Sequence, residues 1–515
     1  MFGMNKKKQQ TKITEQKKQQ TDNLPQDFTI SSSNEKFIQH IKQKIHSPSD
    51  LICKVISDEI RIIYLTHLVD GKSLKEDILK TLEGQDDWTP RTIFEKLPIP
   101  EMESSSNFKT CIQEILKGGV LIHVEGFSEV VIAKITTYQT RSLTAPENES
   151  QVVGSQIGFN ESLPTNVSIV RRYITNPNLC NEQFTIGKHT NTSLSLLYIH
   201  GIASEDQVNT VRQRIQDLDI NDLIDSANLA ELIEDSSSSI FPQLLLTERP
   251  DRFCDGLLSG KLGIVVNGSS MAIVSPYSFF EFFQSREDQN LRWPIGTFVR
   301  LLRFIAIFIA IFATPMYVAT LTFHYDVIPQ PLIIPLSESR AIVPFPPVME
   351  ALLMELTIEL LREAGARLPT KVGQTIGIVG GIVLGTAAVD AGLTSNVLII
   401  IMALSALASF TTPNYVMGNS IRVVRFPIMI FAGFWGYYGL MLAFCIILIH
   451  LLRQSSLGAP YLAPFYPPRW KDWPNSIIRL PLPLIKRQPT NTAREESNNA
   501  LINRSGGLRG EKVKE

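Results

Sequence analysis

Four glutamates, Glu350, Glu355, Glu359 and Glu363, sit in a stretch, Phe345 to Leu368, that Leu and Met otherwise dominate. At roughly 100° per residue Glu355, Glu359 and Glu363 fall along one stripe with Glu350 further round, while Leu352, Leu353, Leu356 and Leu360 cover much of the rest. Carboxylates in apolar surroundings are costly, and they normally face a water-filled path or an opposite charge. Two readings therefore stand side by side. The stripe lines an acidic pore or vestibule, where rings of carboxylates concentrate cations. Alternatively it belongs to an amphipathic or re-entrant helix whose acids are solvated or paired with Arg362 and Arg367. Further on, Gly377, Gly381 and Gly385 are candidate helix-packing residues, and 381 with 385 makes the small-xxx-small spacing that lets two helix backbones approach.

Other chemistry is missing from the pattern. There is no P-loop, no GxGxxG after a strand, no HExxH and no GxSxG elbow. The eight histidines do not cluster at ligand spacing, and Cys53, Cys111, Cys180, Cys254 and Cys445 form no CxxC and no close pairs. No enzymatic activity, cofactor or metal is expected. A net charge of -1 predicts no affinity for nucleic acid.

The elements that must position the glutamates lie in a block from Arg300 to Leu452. A bilayer core of ~30 Å takes about 20 apolar helical residues, and spans are expected at 304–323, 374–393, 397–418 and 426–452, with 345–368 amphipathic or re-entrant. Whether that helix crosses leaves the count at four or five and the side of the C-terminus open. The first apolar window begins near Phe304 behind Arg300 and Arg303, so residues before it are expected to stay cytoplasmic. Tails at 1–33 and 454–515 are basic and polar, the first disordered, and both could touch anionic headgroups.

The first half is expected to be globular, with strand-then-helix order at Ile60 to Leu82 and again at Leu194 to Leu218. Ile115 to Ala133 lies over Leu257 to Ser275 without a gap, placing Gly118 on Gly260 and Gly126 on Gly268. An internal duplication follows, with α/β subdomains at 34–141 and 164–290 joined by a linker at 142–163. Small ligands often bind at the carboxyl ends of strands in such folds, an argument from analogy alone. The expected fold is thus a soluble α/β region of two similar subdomains before an all-α polytopic membrane domain at 291–453.

Four stretches carry a family likeness: FPQLLLTERPDR (Phe241 to Arg252), RWPIGTFVRLLRF (Arg292 to Phe304), FPPVMEALLMELTIELLREAGARLP (Phe345 to Pro369) and GAPYLAPFYP (Gly458 to Pro467). Together they resemble the A subunit of GerA-type spore germination receptors. That resemblance implies a multi-pass protein of the spore inner membrane, acting with a B subunit and a lipoprotein C subunit in the response to small nutrients. It also implies self-association into an ion-conducting assembly. A secondary transporter and a non-conducting scaffold are the rival readings; few spans and no inverted repeat speak against the transporter.

Overall fold

The protein was analysed as a computed structural model describing residues 30–83, 88–136, 145–146, 149–367, 381, 383, 385–470 and 472–481. The basic stretch before residue 30 and the chain after 481 lie outside these residues.

The first sheet contains β1 (Leu51–Val55), β2 (Ile60–Leu65), β3 (Met102–Ser105), β4 (Gly119–Val124) and β5 (Val130–Lys134) in the order β1-β2-β4-β5-β3. Helices cover both its faces. Leu121 packs with Phe37 and Ile41 of α1 (Asn34–Lys44) and Phe108 and Ile115 of α2 (Phe108–Leu116), whereas Val120 and Ile122 face Ile78, Trp88 and Ile93. Burial on both faces is why β4 reads as a continuous apolar run rather than an alternating one.

After α3 (Leu163–Tyr173) the order recurs. β6 (Leu179–Ile186), β7 (Thr192–Ile199), β8 (Leu245–Thr247), β9 (Leu262–Val266) and β10 (Ala272–Ser275) form a sheet ordered β6-β7-β9-β10-β8, the first order shifted by five strands. α4 (Pro250–Leu258) precedes β9 as α2 precedes β4. The overlaid glycines behave alike: Gly118 and Gly260 take φ of +97° and +86° after their helices, and Gly126 and Gly268 take +87° and +90° in the hairpin turns. Only glycine enters that region without strain, so the shared spacing marks shared backbone geometry. The registered strand pairs are all antiparallel. The registered pairs therefore offer no crevice at the carboxyl ends of parallel strands of the kind on which the ligand-site analogy rests.

Packing divides the chain into two compact units, Met1–Ser142 with Ser162–Gln183 and Ser195–His200, and Leu143–Glu161 with Phe184–Leu194 and Gly201–Glu515. The division differs from the expected boundary at 142–163 for a physical reason. Arg171 on α3 reaches Asp50 with two parallel bonds of 2.6 and 2.7 Å, both groups buried, and Ser49 N–H donates to Asn181 O at 2.9 Å. Those bonds tie 162–183 to the first sheet.

The helical region differs from the expected spans. α5 (Trp293–Phe323) starts well before Phe304, because Arg300 and Arg303 are buried against Asp288 rather than marking a flank. α6 (Pro347–Arg367) covers the glutamate stretch. Residues 374–380, 382 and 384 of the span expected at 374–393 lie outside the described residues. The span expected at 397–418 is broken: α7 (Asn396–Ser409) has 14 residues, about 21 Å, too short for a ~30 Å core. Pro413 disfavours helix at Thr412, and Asn414 then caps α8 (Tyr415–Arg453) by accepting from Met417 N–H at 2.9 Å.

α8 is a hairpin of two helices. Ser420 and His450, about 45 Å apart along a straight helix, reach the adjacent residues Ile240 (2.6 Å) and Ser239 (3.2 Å). The chain reverses at Gly436, whose φ of +58° and ψ of -137° no other residue adopts readily. A Cβ there would lie 2.7 Å from the His324 ring, and one at Gly439 would overlap the Phe431 carbonyl.

Candidate functional site

α6 runs down beside the first half of α8. Val348 faces Gly433, Glu355 pairs with Arg425, and Glu359 lies 3.9 Å from Arg422. Each of the four glutamates has an arginine. Glu350 is buried, 3.3 Å from Arg340, and it accepts from Ser395 N–H at 2.6 Å and the Thr394 hydroxyl at 3.1 Å. Those last two donors lie at the N-terminus of α7, whose helix dipole also favours a carboxylate.

Glu355 and Arg425 are both buried. Glu355 Oε2 and Arg425 Nε and Nη2 find no partner among the described residues, so the pair satisfies itself incompletely. Glu359 takes Arg362 on its own helix at 2.9 Å, and the Arg362 guanidinium lies over the Phe410 ring at 5.0 Å. Glu363 pairs with Arg367 at 2.6 Å in the open. Arg362 and Arg367 are the partners that the amphipathic reading names for these acids. The cross-helix partners Arg340, Arg422 and Arg425 escaped the sequence reading, since they lie far off in the chain.

Gly377 lies outside the described residues. A Cβ at Gly381 or Gly385 would meet no described heavy atom within 4 Å, so no close helix contact is seen at either. Close packing is found instead at Gly433, Gly436 and Gly439, a three-residue spacing in the middle of an expected span. No metal-binding group of His, Cys, Asp or Glu exists among the described residues. All five cysteines are free, and burial pushes the Cys111 thiol up to about 12, which suits core packing rather than nucleophilic chemistry.

The family described as Bacillus/Clostridium GerA spore germination protein matches residues 39–491. The chain belongs to the GerA family. Spore germination protein GerQA of Bacillus cereus is 41% identical over 464 residues, covering 89% of this chain and 93% of the relative. Spore germination protein KA of Bacillus subtilis (strain 168) is 38% identical over 479 residues, covering 91% and 88%. Among solved structures, the N-terminal domain of the A subunit of the Bacillus megaterium spore germinant receptor GerK3 aligns at 24% identity and a TM-score of 0.39, covering 49% of this chain and 98% of that one.

Three of the stretches that carry the GerA likeness meet in space. In the first, Arg249 is buried and Arg252 is largely covered. Arg249 donates to Glu149 O (3.1 Å) and Ser155 O (3.0 Å), and Arg252 pairs with Glu149 at 2.6 Å and donates to the Tyr277 hydroxyl at 3.0 Å. Burial alone would lower the Arg252 pKa, but Tyr277 and Glu149 more than reverse it, so the guanidinium stays charged. Residues 149–161, part of the linker expected at 142–163, are thereby held in place while irregular.

In the second, Arg303 grips Asp288 at 2.8 and 3.0 Å and donates to Phe283 O at 2.7 Å. The third lies in the expected C-terminal tail, yet residues 454–470 and 472–479 are folded. Tyr277 N–H donates to Ser456 Oγ at 3.0 Å, Phe279 N–H to Tyr461 O at 2.8 Å, and the buried Tyr461 hydroxyl to Pro242 O at 2.5 Å. This returning segment was read as a tail because its proline-rich sequence has no helical or alternating period. Its aromatic residues were the available signal.

Proposed function

We propose that this chain is the A subunit of a nutrient germinant receptor, with its helical region in the spore inner membrane and its α/β region in the cytoplasm. It acts beside a B subunit and a lipoprotein C subunit and self-associates as the ion-conducting component; it is not an enzyme. The observation that carries the membrane part is exposure. A core helix of a soluble protein is mostly covered, whereas only 22% of the apolar window of α8 is buried, leaving Phe434, Trp435, Tyr438 and Met441 open.

The helices are not loosely tethered. Asp288 with Arg300 and Arg303, and the returning segment 454–479, lock the second sheet to the start of α5 and the end of α8, which suits transmission of a signal into the helices. Within α6, Glu359 and Glu363 keep partial access to solvent and are the carboxylates best suited to a cation path. Glu350 and Glu355 hold the helix in place.

Two experiments test the reading. Passive, cation-selective flux from liposomes carrying the assembled subunits is expected; solute-coupled flux would point to a transporter, and none to a scaffold. Cysteines at Ser150 and Asn498 should both resist impermeant thiol reagents in intact protoplasts. Labelling of Ser150→Cys would overturn the orientation.

A further inference from the structure

The first unit places three of the chain's eight histidines along one seam, where the end of α1 and the start of β1 meet the start of β6 and the end of β7. His46, just past α1, lies against His200, just past β7, with ring centroids 4.2 Å apart and tilted by 39°. His46 Nε2 is also 3.3 Å from Asn178 Oδ1, and His200 N–H donates to Asn178 O at 2.9 Å, so both its ring contacts fall on one strand end. Next along the seam, the Ser49 hydroxyl donates to Asn181 O at 2.8 Å and accepts from Gln183 N–H at 3.0 Å. The third ring, His67, has Nε2 3.5 Å from Gln183 Nε2 and lies near the buried Asp50–Arg171 pair.

The chain at His46 is strained. His46 and Ser47 stand in succession at φ of +59° and +47°, a region that residues with a Cβ enter at a cost. Ser47 N–H closes the turn on Lys42 O at 2.9 Å, and the contacts of the His46 ring hold it against β6 and β7.

Charge at the seam leans towards the cation. Burial, then His200 and Lys44, keep His46 below its ordinary pKa against the pull of the Asn178 amide. At His67, burial and Arg171 do the same against Asp50. Both Asp50 oxygens are engaged by Arg171, so that carboxylate is not open to a charged ring at 46 or 200. Neutral imidazoles can lie face to face at this distance, whereas two imidazolium rings repel, and histidine changes charge between about pH 5 and 8.

We propose that His46 and His200 form a pH-operated latch across this seam: neutral, they hold the end of α1 against β6 and β7, and protonated together they release it. The strained turn at His46 and Ser47 then relaxes. The Asp50–Arg171 pair remains, so the opening is local. A ring freed from the seam takes up a proton more readily than one held in it, so acid favours the open form. The latch does not depend on the membrane reading.

The test is hydrogen exchange of the full-length chain in detergent at about pH 7.5 and about pH 5.5, on either side of the ordinary imidazole range, with labelling times scaled for intrinsic rates. The amides of Ser47, Ser49, Gln183 and His200 read the seam, and those of β4 read the core. Acid should weaken protection at the seam about fivefold, as expected for two unit charges about 4 Å apart in bulk water, and leave β4 unchanged. His200→Gln removes one of the two charges and should abolish most of that response, while His200→Lys puts a charge back and should restore it. Seam protection in the parent chain that ignores pH overturns the proposal. So does a full response in the H46Q/H200Q double variant, which would assign the pH dependence to His67. H200K no more sensitive to acid than H200Q, with β4 intact in both, would make the pair a packing contact and overturn it as well.

Discussion

Replacing Glu355 by Gln and Glu359 by Gln should have different consequences, although the two residues stand one turn apart on one helix. Glu355 is buried against Arg425, whose Nε and Nη2 have no hydrogen-bond partner among the described residues. Removing the carboxylate strands a buried guanidinium, and breaking a buried pair from one side costs about 3–5 kcal/mol. Glu359 is partly exposed and shares its charge between Arg362 and Arg422, so its loss should cost ~0–1 kcal/mol. A destabilisation of only about 1–2 kcal/mol already changes abundance several-fold.

E355Q should therefore lower receptor abundance in spore membranes and the unfolding temperature in detergent, whereas E359Q should leave both near normal while nutrient-triggered cation release falls. The double variant E355Q/R425Q replaces the ion pair by two neutral amides, and it should regain most of the stability lost in E355Q. Full abundance and heat resistance for E355Q alone would refute the structural role of the pair. Normal release with E359Q would remove Glu359 from the cation path.

Gly436→Ala should disrupt the α8 hairpin, because the backbone sits at positive φ and the added Cβ meets His324 at 2.7 Å; Gly385→Ala, facing open space among the described residues, serves as a near-neutral control. Comparing their detergent melting curves checks the assignment. Asp50→Ala should destabilise by about 3–5 kcal/mol by leaving Arg171 buried and unpaired, with D50A/R171M recovering most of it. Faster hydrogen exchange in α3 reports the loss. Burial lowers the pKa of His123, which is fully enclosed beneath Phe37 and held 2.6 Å from Asn34 Oδ1. Between its folded pKa and the usual 6.5 the unfolded chain binds more protons, so stability falls as pH drops below 6.5. His123→Gln should flatten that part of the pH dependence of unfolding; His46 and His67, also lowered by burial, act in the same direction.

The repeated unit was legible because its punctuation is local: a helix, a positive-φ glycine, a strand, a second such glycine and another strand. β1 and β3 were not legible. Their sequences, LICKV and MESS, are half exposed at the sheet edges, and the first is too short an apolar run, the second too polar, to mark a strand. The α8 hairpin escaped for the opposite reason. Its two arms are apolar on both sides of Gly436, so composition ran straight through the reversal, and only the spacing of Gly433, Gly436 and Gly439 betrayed it.

Charge was the least legible feature, because the answer to each carboxylate lies elsewhere in the chain. Glu355 meets Arg425, and Asp50 meets Arg171. From sequence alone, a row of acids among leucines invites a cation path. In the folded chain α6 is nearly charge-balanced by arginines from three segments, and a balanced row attracts no cation. On the proposed reading, a cation path along α6 would require those arginines to move away from the acids. Glu359 is the point where that can begin with least resistance: its cross-helix contact with Arg422 is long at 3.9 Å, and Arg362 can hold it from within the same helix. The buried Glu355–Arg425 pair, a few ångströms along, opposes the same movement. Parting α6 from α8 would have to break this pair, at a cost of about 3–5 kcal/mol.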